Sequence, residues 1–180
     1  MPVQSDYTDA QVMGYSGMPS TPDRCQYRPA YNAEASAKIA FGRAVIRKTS
    51  SPATDFDVLL PSSENDVVVG IVVRRPIELA WTDSAGTSHG QYDATGYLAG
   101  ADMVIAKKGR LLLLVEDGCV PGDHLWVRAV AAGDPEFLGG LNSADDGTDM
   151  IDCTNAGQWD STAAAGGLAW LDFDFTGDMT

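Results

Sequence analysis

Two histidines are the side chains in this sequence best suited to acid–base chemistry near neutral pH. His89 lies in the segment TSHGQ and His124 in PGDHLW. Either imidazole could activate the hydroxyl of Ser84 or Ser88 if an acid oriented the ring, because such triads depend on geometry and not on order in the chain. A small hydrolase that uses His89 or His124 is therefore one interpretation of the sequence.

The three cysteines, Cys25, Cys119 and Cys153, include no C-x-x-C pair. An odd number without that spacing argues against a disulfide framework or a zinc ribbon and fits folding in a reducing cytoplasm. Cys119 and His124 flank a Pro-Gly corner, but a structural zinc site needs four ligands. The sequence therefore predicts free thiols and no zinc.

The acidic segment SADDGTDMID resembles a calcium-binding loop in composition only. Asp145, Asp146 and Asp149 surround Gly147, whereas an EF-hand needs carboxylates at alternate positions before its glycine and a Glu six residues after it. The segment GGLNSADDG has no lysine that could hold a phosphate. We predict no metal, no cofactor and no enzymatic activity, with the hydrolase kept as the alternative.

Charge is distributed unevenly along this chain of 180 residues, whose formal net charge is −13. No Lys or Arg follows Arg128, whereas ten acidic residues do. Such a surface repels phosphate, so we expect no nucleic acid as a partner. The sequence shows no basic amphipathic segment, no apolar run of about 18 residues and no signal peptide, so we expect no membrane partner either.

Short apolar segments separated by turn residues follow one another from Lys38 onward. Their spacing, without long helical periods, predicts an all-β fold that is a sandwich or jelly-roll-like, with a small β-barrel as the alternative. DVVVGIVVRR is a continuous apolar run between Asp66 and its arginines, as in a strand buried on both faces. DMVIAKKGRLLLLVED is expected to form two strands joined by a turn at residues 107–109. Further strands are expected in KIAFGRAVIRK, IELAW, DHLWVRAVA and GLAWLDFDF.

Two of these segments indicate which residues enter the core. In KKGRLLLLVEDGCVPGDHLWVR, residues 111–115 and 125–127 are expected in the core, Trp126 among them, with a corner at residues 121–123. In GLAWLDFDF, residues 171–175 alternate between apolar and acidic, which predicts one buried and one exposed face.

Residues 1–36 differ from the remainder, because Gly, Pro, Ser, Tyr and Arg are mixed there without a helical or strand period. We predict an extended N-terminal arm over residues 1–36 and a single β domain over residues 37–180. Tyrosine and arginine are enriched in protein interfaces. The arm is therefore interpreted as a segment that becomes ordered on a neighbouring subunit, with a frayed terminus as the alternative.

Four segments follow one another in a characteristic order: IAFGRAVIRK, DVVVGIVVRR, KKGRLLLLVEDGCVPGDHLWVRAVA and the tail SADDGTDMIDCTNAGQWDSTAAAGGLAWLDFDF. This order resembles that of the structural cement proteins of tailed-phage capsids, over about residues 36 to 176. The order and spacing of the segments carry the resemblance, since no single segment is specific. The chain departs from the family pattern in having Gln158 before Trp159, where relatives often have Arg, and in having Cys119 and Cys153.

The resemblance implies a non-catalytic virion protein made in the host cytoplasm. It would bind the outer surface of the major capsid protein shell, bridge adjacent capsomers as a homotrimer or homodimer, and stabilise the head. A head fibre base or a tail component is the alternative within the virion. The predicted capsid or subunit contacts are tyrosines and arginines of the arm and the basic clusters of the β domain: Tyr7, Tyr15, Arg24, Tyr27, Arg28, Tyr31, Arg74, Arg75, Lys107, Lys108 and Arg110.

Overall fold

The computed structural model describes residues 15–20, 25–74, 81–82, 88–89, 95–130, 138–147 and 149–177, with residues 81–82 and 88–89 described in their backbone only. The described residues form fifteen β-strands and no helix, which confirms the predicted all-β class. Within this part of the chain, no helix that could cross a membrane is found. The strands are β1 (Met18–Pro19), β2 (Gln26–Asn32), β3 (Ile39–Ala40), β4 (Ala44–Arg47), β5 (Asp57–Leu59), β6 (Val68–Val72), β7 (Trp81–Thr82), β8 (Ser88–His89), β9 (Gly96–Tyr97), β10 (Asp102–Leu114), β11 (Trp126–Arg128), β12 (Leu141–Asn142), β13 (Met150–Asp152), β14 (Gly157–Trp159) and β15 (Leu168–Asp174).

Five strands close into a small barrel in the order β10, β2, β5, β4, β6 and back to β10. A closed ring of five strands cannot alternate in direction throughout, so at least one neighbouring pair must be parallel. Here that pair is β2 and β5, and the other four pairs are antiparallel. Of the two architectures that the sequence left open, the structure therefore has the small barrel, extended by further sheets.

Strand β10 is thirteen residues long and belongs to two structures. Residues 102–108 pair with β2 and complete the barrel, whereas residues 108–114 pair with β15 on one side and β1 on the other. The predicted turn at residues 107–109 is therefore wrong. The register shifts between Ala106 and Lys108, and Gly109 has a φ of 142°, a value that favours glycine. The lysines and the glycine mark the point where the strand changes partners.

The strands outside the barrel form what we call the flanking sheets. One consists of residues 108–114 of β10 with β1, β15 and β14, and the other is β12–β11–β13. Two separate pairs, β3 with β9 and β7 with β8, complete the described sheets.

Two hydrophobic cores lie on opposite sides of the barrel wall. The barrel core contains Ala30, Ile39, Val45, Val58, Val72, Tyr97, Ala101, Met103 and Ile105. On β6, Val72 points into this core, whereas its neighbours Ile71 and Val73 belong to the larger core beneath the flanking sheets. Strand β6 is therefore buried on both faces, which confirms the interpretation of its uniformly apolar sequence.

The wall strands approach closely where the barrel closes. A Cβ atom on Gly70 would lie 2.8 Å from the carbonyl oxygen of Ala106 and 3.1 Å from Cδ1 of Ile105. Glycine at this position of β6 therefore lets β10 come near enough to pair with it.

The flanking core confirms the alternation predicted for β15. Leu171, Phe173 and Phe175 are buried, while Asp172 is exposed. The prediction for Trp126 was wrong, because Trp126 is only half-buried, whereas Trp159 is buried in this core.

The sheet begins before residue 36, because β2 lies within the predicted arm and pairs with β10. Its signal is weak in the sequence, since Ala30 and Asn32 are its buried side chains and Pro29 interrupts it. The N–H of Asn32 donates to the carbonyl of Ala101 at 2.9 Å. By alternation, the position of Pro29 faces away from β10, so its missing N–H costs no bond to that strand.

Candidate interaction surface

Three exposed aromatic side chains lie along β2 and the loop before β5, and we call Tyr27, Tyr31 and Phe56 the aromatic patch. They are 44%, 38% and 50% exposed. The two tyrosines share the outward face of β2, four residues and so about 13 Å apart. The N–H of Tyr31 donates to the carbonyl oxygen of Phe56 at 2.8 Å, which holds the third ring beside the strand. Exposed apolar groups in one place are typical of interaction surfaces.

Arg28 ties the aromatic patch to the loop before β5. Its guanidinium lies 5.6 Å from the centroid of the Phe56 ring and donates a hydrogen bond to the carbonyl oxygen of Asp55. Partial burial, together with a hydrogen bond to Cys25, raises the pKa of the Tyr27 phenol. The aromatic patch therefore presents uncharged rings next to a fixed cation.

A shallow groove of about 700 Å³ runs along one side of the aromatic patch. Pro29 and Pro52 give it an apolar wall, and Lys48 adds a cation. The turn before β5 is held by Thr54, whose N–H and hydroxyl donate to the Asp57 carboxylate at 2.9 and 2.7 Å. These bonds also lower the pKa of Asp57. The groove wall is thus fixed by local hydrogen bonds.

A second aromatic–arginine contact is internal. The guanidinium of Arg74 lies 5.3 Å from the ring centroid of Tyr15 and 5.8 Å from that of Phe41. Phe41 in turn packs edge-on against the buried ring of Tyr97, with centroids 5.3 Å apart. Tyr15 and Arg74 therefore contact each other within the chain.

Two of the three basic residues on β10 are paired with acids of the neighbouring strands. Lys108 Nζ lies 2.6 Å from Asp174 Oδ2. Arg110 forms an ion pair with Asp160, and its guanidinium lies 5.3 Å from the ring centroid of Trp170. The hydrogen bonds to Asp174 from Lys108 and Thr176 lower the pKa of that carboxyl to about 2. The third basic residue, Lys107, lies at the open end of the barrel.

The structure brings together part of the predicted contact set. Tyr27, Arg28 and Tyr31 lie in or beside the aromatic patch, while Arg74 contacts Tyr15 and the three basic residues of β10 are not part of the patch. Tyr7, Arg24 and Arg75 lie outside the described residues. Sequence reasoning missed Phe56 and Lys48, although an aromatic residue in the polar turn TDFD was a usable signal.

Of the two histidines, the structure describes the side chain of His124 alone. His124 is exposed and bridges to Gln158 through its backbone. The letters GTSHG at residues 86–90 match the G-x-S-x-G pattern of a nucleophile elbow, which places its serine between a strand and a helix. Here Ser88 and His89 form β8 and pair with β7.

The three cysteines are free. Burial raises the pKa of the Cys153 thiol to about 12, and burial also raises that of Cys119. These thiols are protonated at neutral pH, a form that neither attacks substrates nor binds metals. Among the described residues, no group of His, Cys, Asp or Glu could hold a metal ion. Ser84 lies outside those residues.

Acidic and basic residues are distributed differently in the barrel and in the flanking sheets. Residues 25–74, which supply four of the five barrel strands, contain six basic and five acidic residues. The described residues from Val115 to Gly177, which form most of the flanking sheets, contain one basic and ten acidic residues. The aromatic patch therefore lies on the nearly neutral part of a strongly acidic protein.

Comparison with known proteins places the chain in a family. A family model described as structural cement protein (E217 gp24/Pam3 gp6) matches residues 3–174. A chain in the structure of the capsid of Myoviridae phage XM1 has the same fold, with a TM-score of 0.62 and 11% sequence identity over 96% of this chain and 98% of that one. No curated protein matches the sequence. The chain belongs to the phage structural cement protein family and is a structural protein of the virion.

Proposed function

We propose that the protein is a non-catalytic decoration protein that binds the outer surface of the major capsid protein shell, bridges adjacent capsomers and stabilises the head. Membership of the cement family supports association with the shell. The position of the aromatic patch on the nearly neutral part of the molecule carries the assignment of the contact surface.

Aromatic rings and arginine supply much of the binding energy at protein interfaces. The aromatic patch combines both, since Arg28 stacks on Phe56 beside the two tyrosines. The acidic flanking sheets would face away from the shell. Their charge repels packaged DNA and keeps free subunits apart before they bind.

The bound unit is a homodimer or a homotrimer, in which each subunit can contact a different capsomer. A two-fold position on the shell selects a dimer and a three-fold position selects a trimer. The free cysteines agree with synthesis in the host cytoplasm, where disulfides are rare. No nucleic acid or membrane takes part.

The test uses shells purified from phage that lack this gene, incubated with purified protein and analysed by co-sedimentation. Replacing both Tyr27 and Phe56 by Ala is expected to weaken binding roughly 30-fold or more, as for residues at the centre of an interface. Val120→Ala, a matched control at a 52% exposed position after β10, leaves binding unchanged. Cryo-electron microscopy of the decorated shells then gives position and copy number.

Binding that survives loss of both rings would move the contact away from the aromatic patch. A few copies per particle, at one vertex or on the tail, would instead favour a fibre base or a tail component over cement. Absence of binding by the wild-type protein would contradict the proposed function itself.

A further inference from the structure

The open end of the barrel holds a depression of about 640 Å³ that we call the barrel-end pocket. It lies where β4, β5 and β6 have their ends and where β10 leaves the barrel. Three basic residues, Arg28, Arg47 and Lys107, line it, with Asp66 as the single acid among its lining residues. In a protein of net charge −13, such a local excess of cations is unusual.

The one acid of the pocket is already satisfied by its own loop. One oxygen of Asp66 accepts hydrogen bonds from the N–H of Ser62 at 2.8 Å, the N–H of Ser63 at 2.9 Å and the hydroxyl of Ser62 at 3.2 Å. These bonds hold the carboxylate against the loop at residues 62–66. Asp66 therefore stabilises that loop and forms no ion pair with the described cations of the pocket.

The three cations of the pocket differ in whether they already have an ion pair or a hydrogen bond. Arg47 pairs with the exposed Asp55, and Arg28 is held by the carbonyl of the same residue and by Phe56. Lys107 is half-buried, and within the described chain its ammonium has neither an ion pair nor a hydrogen bond. Its neighbour on β10, Lys108, is paired with Asp174.

A half-buried ammonium gives up part of its hydration and is stabilised when an anion replaces the lost water. The lining includes an apolar floor, formed by Ile46, Val68 and Phe175, beside polar residues such as Thr49 and Ser62. The N–H of Phe175 donates to the carbonyl oxygen of Lys107 at 2.7 Å, so the lysine backbone is fixed against this floor. An anion that is attached to apolar groups fits both features.

We infer that the barrel-end pocket binds an Asp or Glu side chain of an acidic, partly apolar segment of the capsid shell protein, with Lys107 as the principal cation. This inference rests on the proposed function and names the chemistry of its partner. Arg28 connects the two surfaces, because it lines the pocket and also stacks on Phe56 of the aromatic patch. A segment that crosses the patch would thus continue into the pocket. A free phosphate would gain little from the apolar floor.

The test compares two neighbouring lysines in the same co-sedimentation experiment with shells that lack the protein. Lys107→Gln is expected to weaken binding about tenfold, the loss of one charge-assisted hydrogen bond, and Lys107→Glu by more. The matched control Lys108→Gln removes the same charge one residue away and stays within about twofold, because that lysine already has a partner. Raising the salt concentration should narrow the difference between wild type and Lys107→Gln.

The outcomes separate the two proposals. If the wild type binds and the Lys107 variants bind equally well, the pocket is not the acidic site, while the proposed function stands. If Lys107→Gln and Lys108→Gln weaken binding by the same factor, a general electrostatic attraction explains the result and the specific site is rejected. If inorganic phosphate competes at millimolar concentration, the pocket takes a free anion and the peptide assignment is overturned. Failure of the wild type to bind removes both proposals. Urea unfolding of each variant checks that the fold is retained.

Discussion

The barrel and the flanking sheets differ in how their basic side chains are paired with acids. On the flanking side, acids outnumber bases so strongly that the described cations there are paired: Lys108 with Asp174, Arg110 with Asp160, and Arg128 with Glu116 and Asp146. On the barrel, bases and acids are nearly equal in number, yet Lys107 has no partner among the described residues. Where acidic residues are in excess, the nearby cations thus form ion pairs with them. Lys107, which could bind an acidic group of a partner, lies on the nearly neutral side.

Aromatic residues show the same contrast. Trp159 of β14 is buried in the flanking core, where its indole N–H donates to the carbonyl of Asn142 at 3.2 Å. Trp170 of β15 lies beneath Arg110. The rings of Tyr27 and Phe56 on the barrel are exposed instead. The flanking sheets bury Trp159 for stability, whereas the barrel buries Tyr97 but presents the rings of Tyr27, Tyr31 and Phe56 to solvent.

One ion-pair network joins the two regions, and breaking it has the largest expected effect on stability. Glu116, at the end of β10, accepts from Arg43 of the barrel at 3.1 Å and from Arg128 of β11 at 2.9 Å. The three side chains are only 10%, 18% and 13% exposed. Glu116→Gln removes the carboxylate that the two largely buried guanidinium groups share, and Arg128 keeps only its ion pair with the exposed Asp146. The free energy of unfolding should fall by about 3 kcal/mol or more, as measured by urea denaturation.

Glu64→Gln is the matched control, because Glu64 is an exposed residue before β6. It should change the free energy of unfolding by less than about 0.5 kcal/mol. Equal effects of the two substitutions would mean that net charge, and not the network, sets stability. The network would then not be the joint between barrel and flanking sheets.

The second prediction tests the buried polar side chain of β2 in the barrel. Asn32 is fully buried, and its side-chain N–H groups donate to the carbonyls of Ala37, Tyr97 and Leu98 at 3.1, 3.2 and 2.9 Å. Asn32→Ala leaves these carbonyls short of a donor and is expected to destabilise the protein by about 2 kcal/mol. Asn65→Ala on an exposed loop is the control.

Hydrogen exchange should locate the effect of Asn32→Ala. Amides of the barrel are expected to lose protection more than amides of β14 and β15, because the two cores lie on opposite sides of the wall. Uniform loss of protection would show that barrel and flanking sheets unfold as one cooperative unit.

The sequence predicted well those elements whose burial follows a simple period. Residues 68–73 are apolar because both faces of this segment meet a core, and residues 171–175 alternate because only one face does. The segment at residues 107–109 misled the prediction, since lysines and a glycine are typical turn residues. Only the tertiary structure, in which β10 exchanges β2 for β15, explains why the strand continues through them.

The interaction surface was less accessible to sequence reasoning. Tyr27, Arg28 and Tyr31 were predicted as contact residues from their residue types and from their place in an extended arm. The structure places them on a barrel strand instead. Phe56 joins them through the parallel pairing of β2 with β5, a long-range contact that leaves no local pattern. Likewise, Lys108 forms an ion pair and Lys107 lines a pocket because the two lysines occupy different faces of β10, which the sequence alone does not show.

The smallest expected effect concerns the paired lysine of β10 and acid solution. Hydrogen bonds from Lys108 and Thr176 lower the pKa of Asp174 to about 2, below its ordinary value near 3.8. The charged carboxylate therefore stabilises the folded state above pH 4, and this contribution is lost as the pH falls from about 4 through 2. Both side chains are more than 40% exposed, so the contribution is below about 1 kcal/mol.

Lys108→Gln sharpens the contrast between the two neighbouring lysines. In this variant the pKa of Asp174, followed by carboxyl NMR, should rise part of the way toward its ordinary value, because the bonds from Thr176 remain. Lys107→Gln should leave that pKa unchanged, since Lys107 faces the barrel-end pocket. A rise of the same size in both variants would mean that the carboxylate responds to total charge, and the assignment of one lysine to the sheet and the other to a partner would fail.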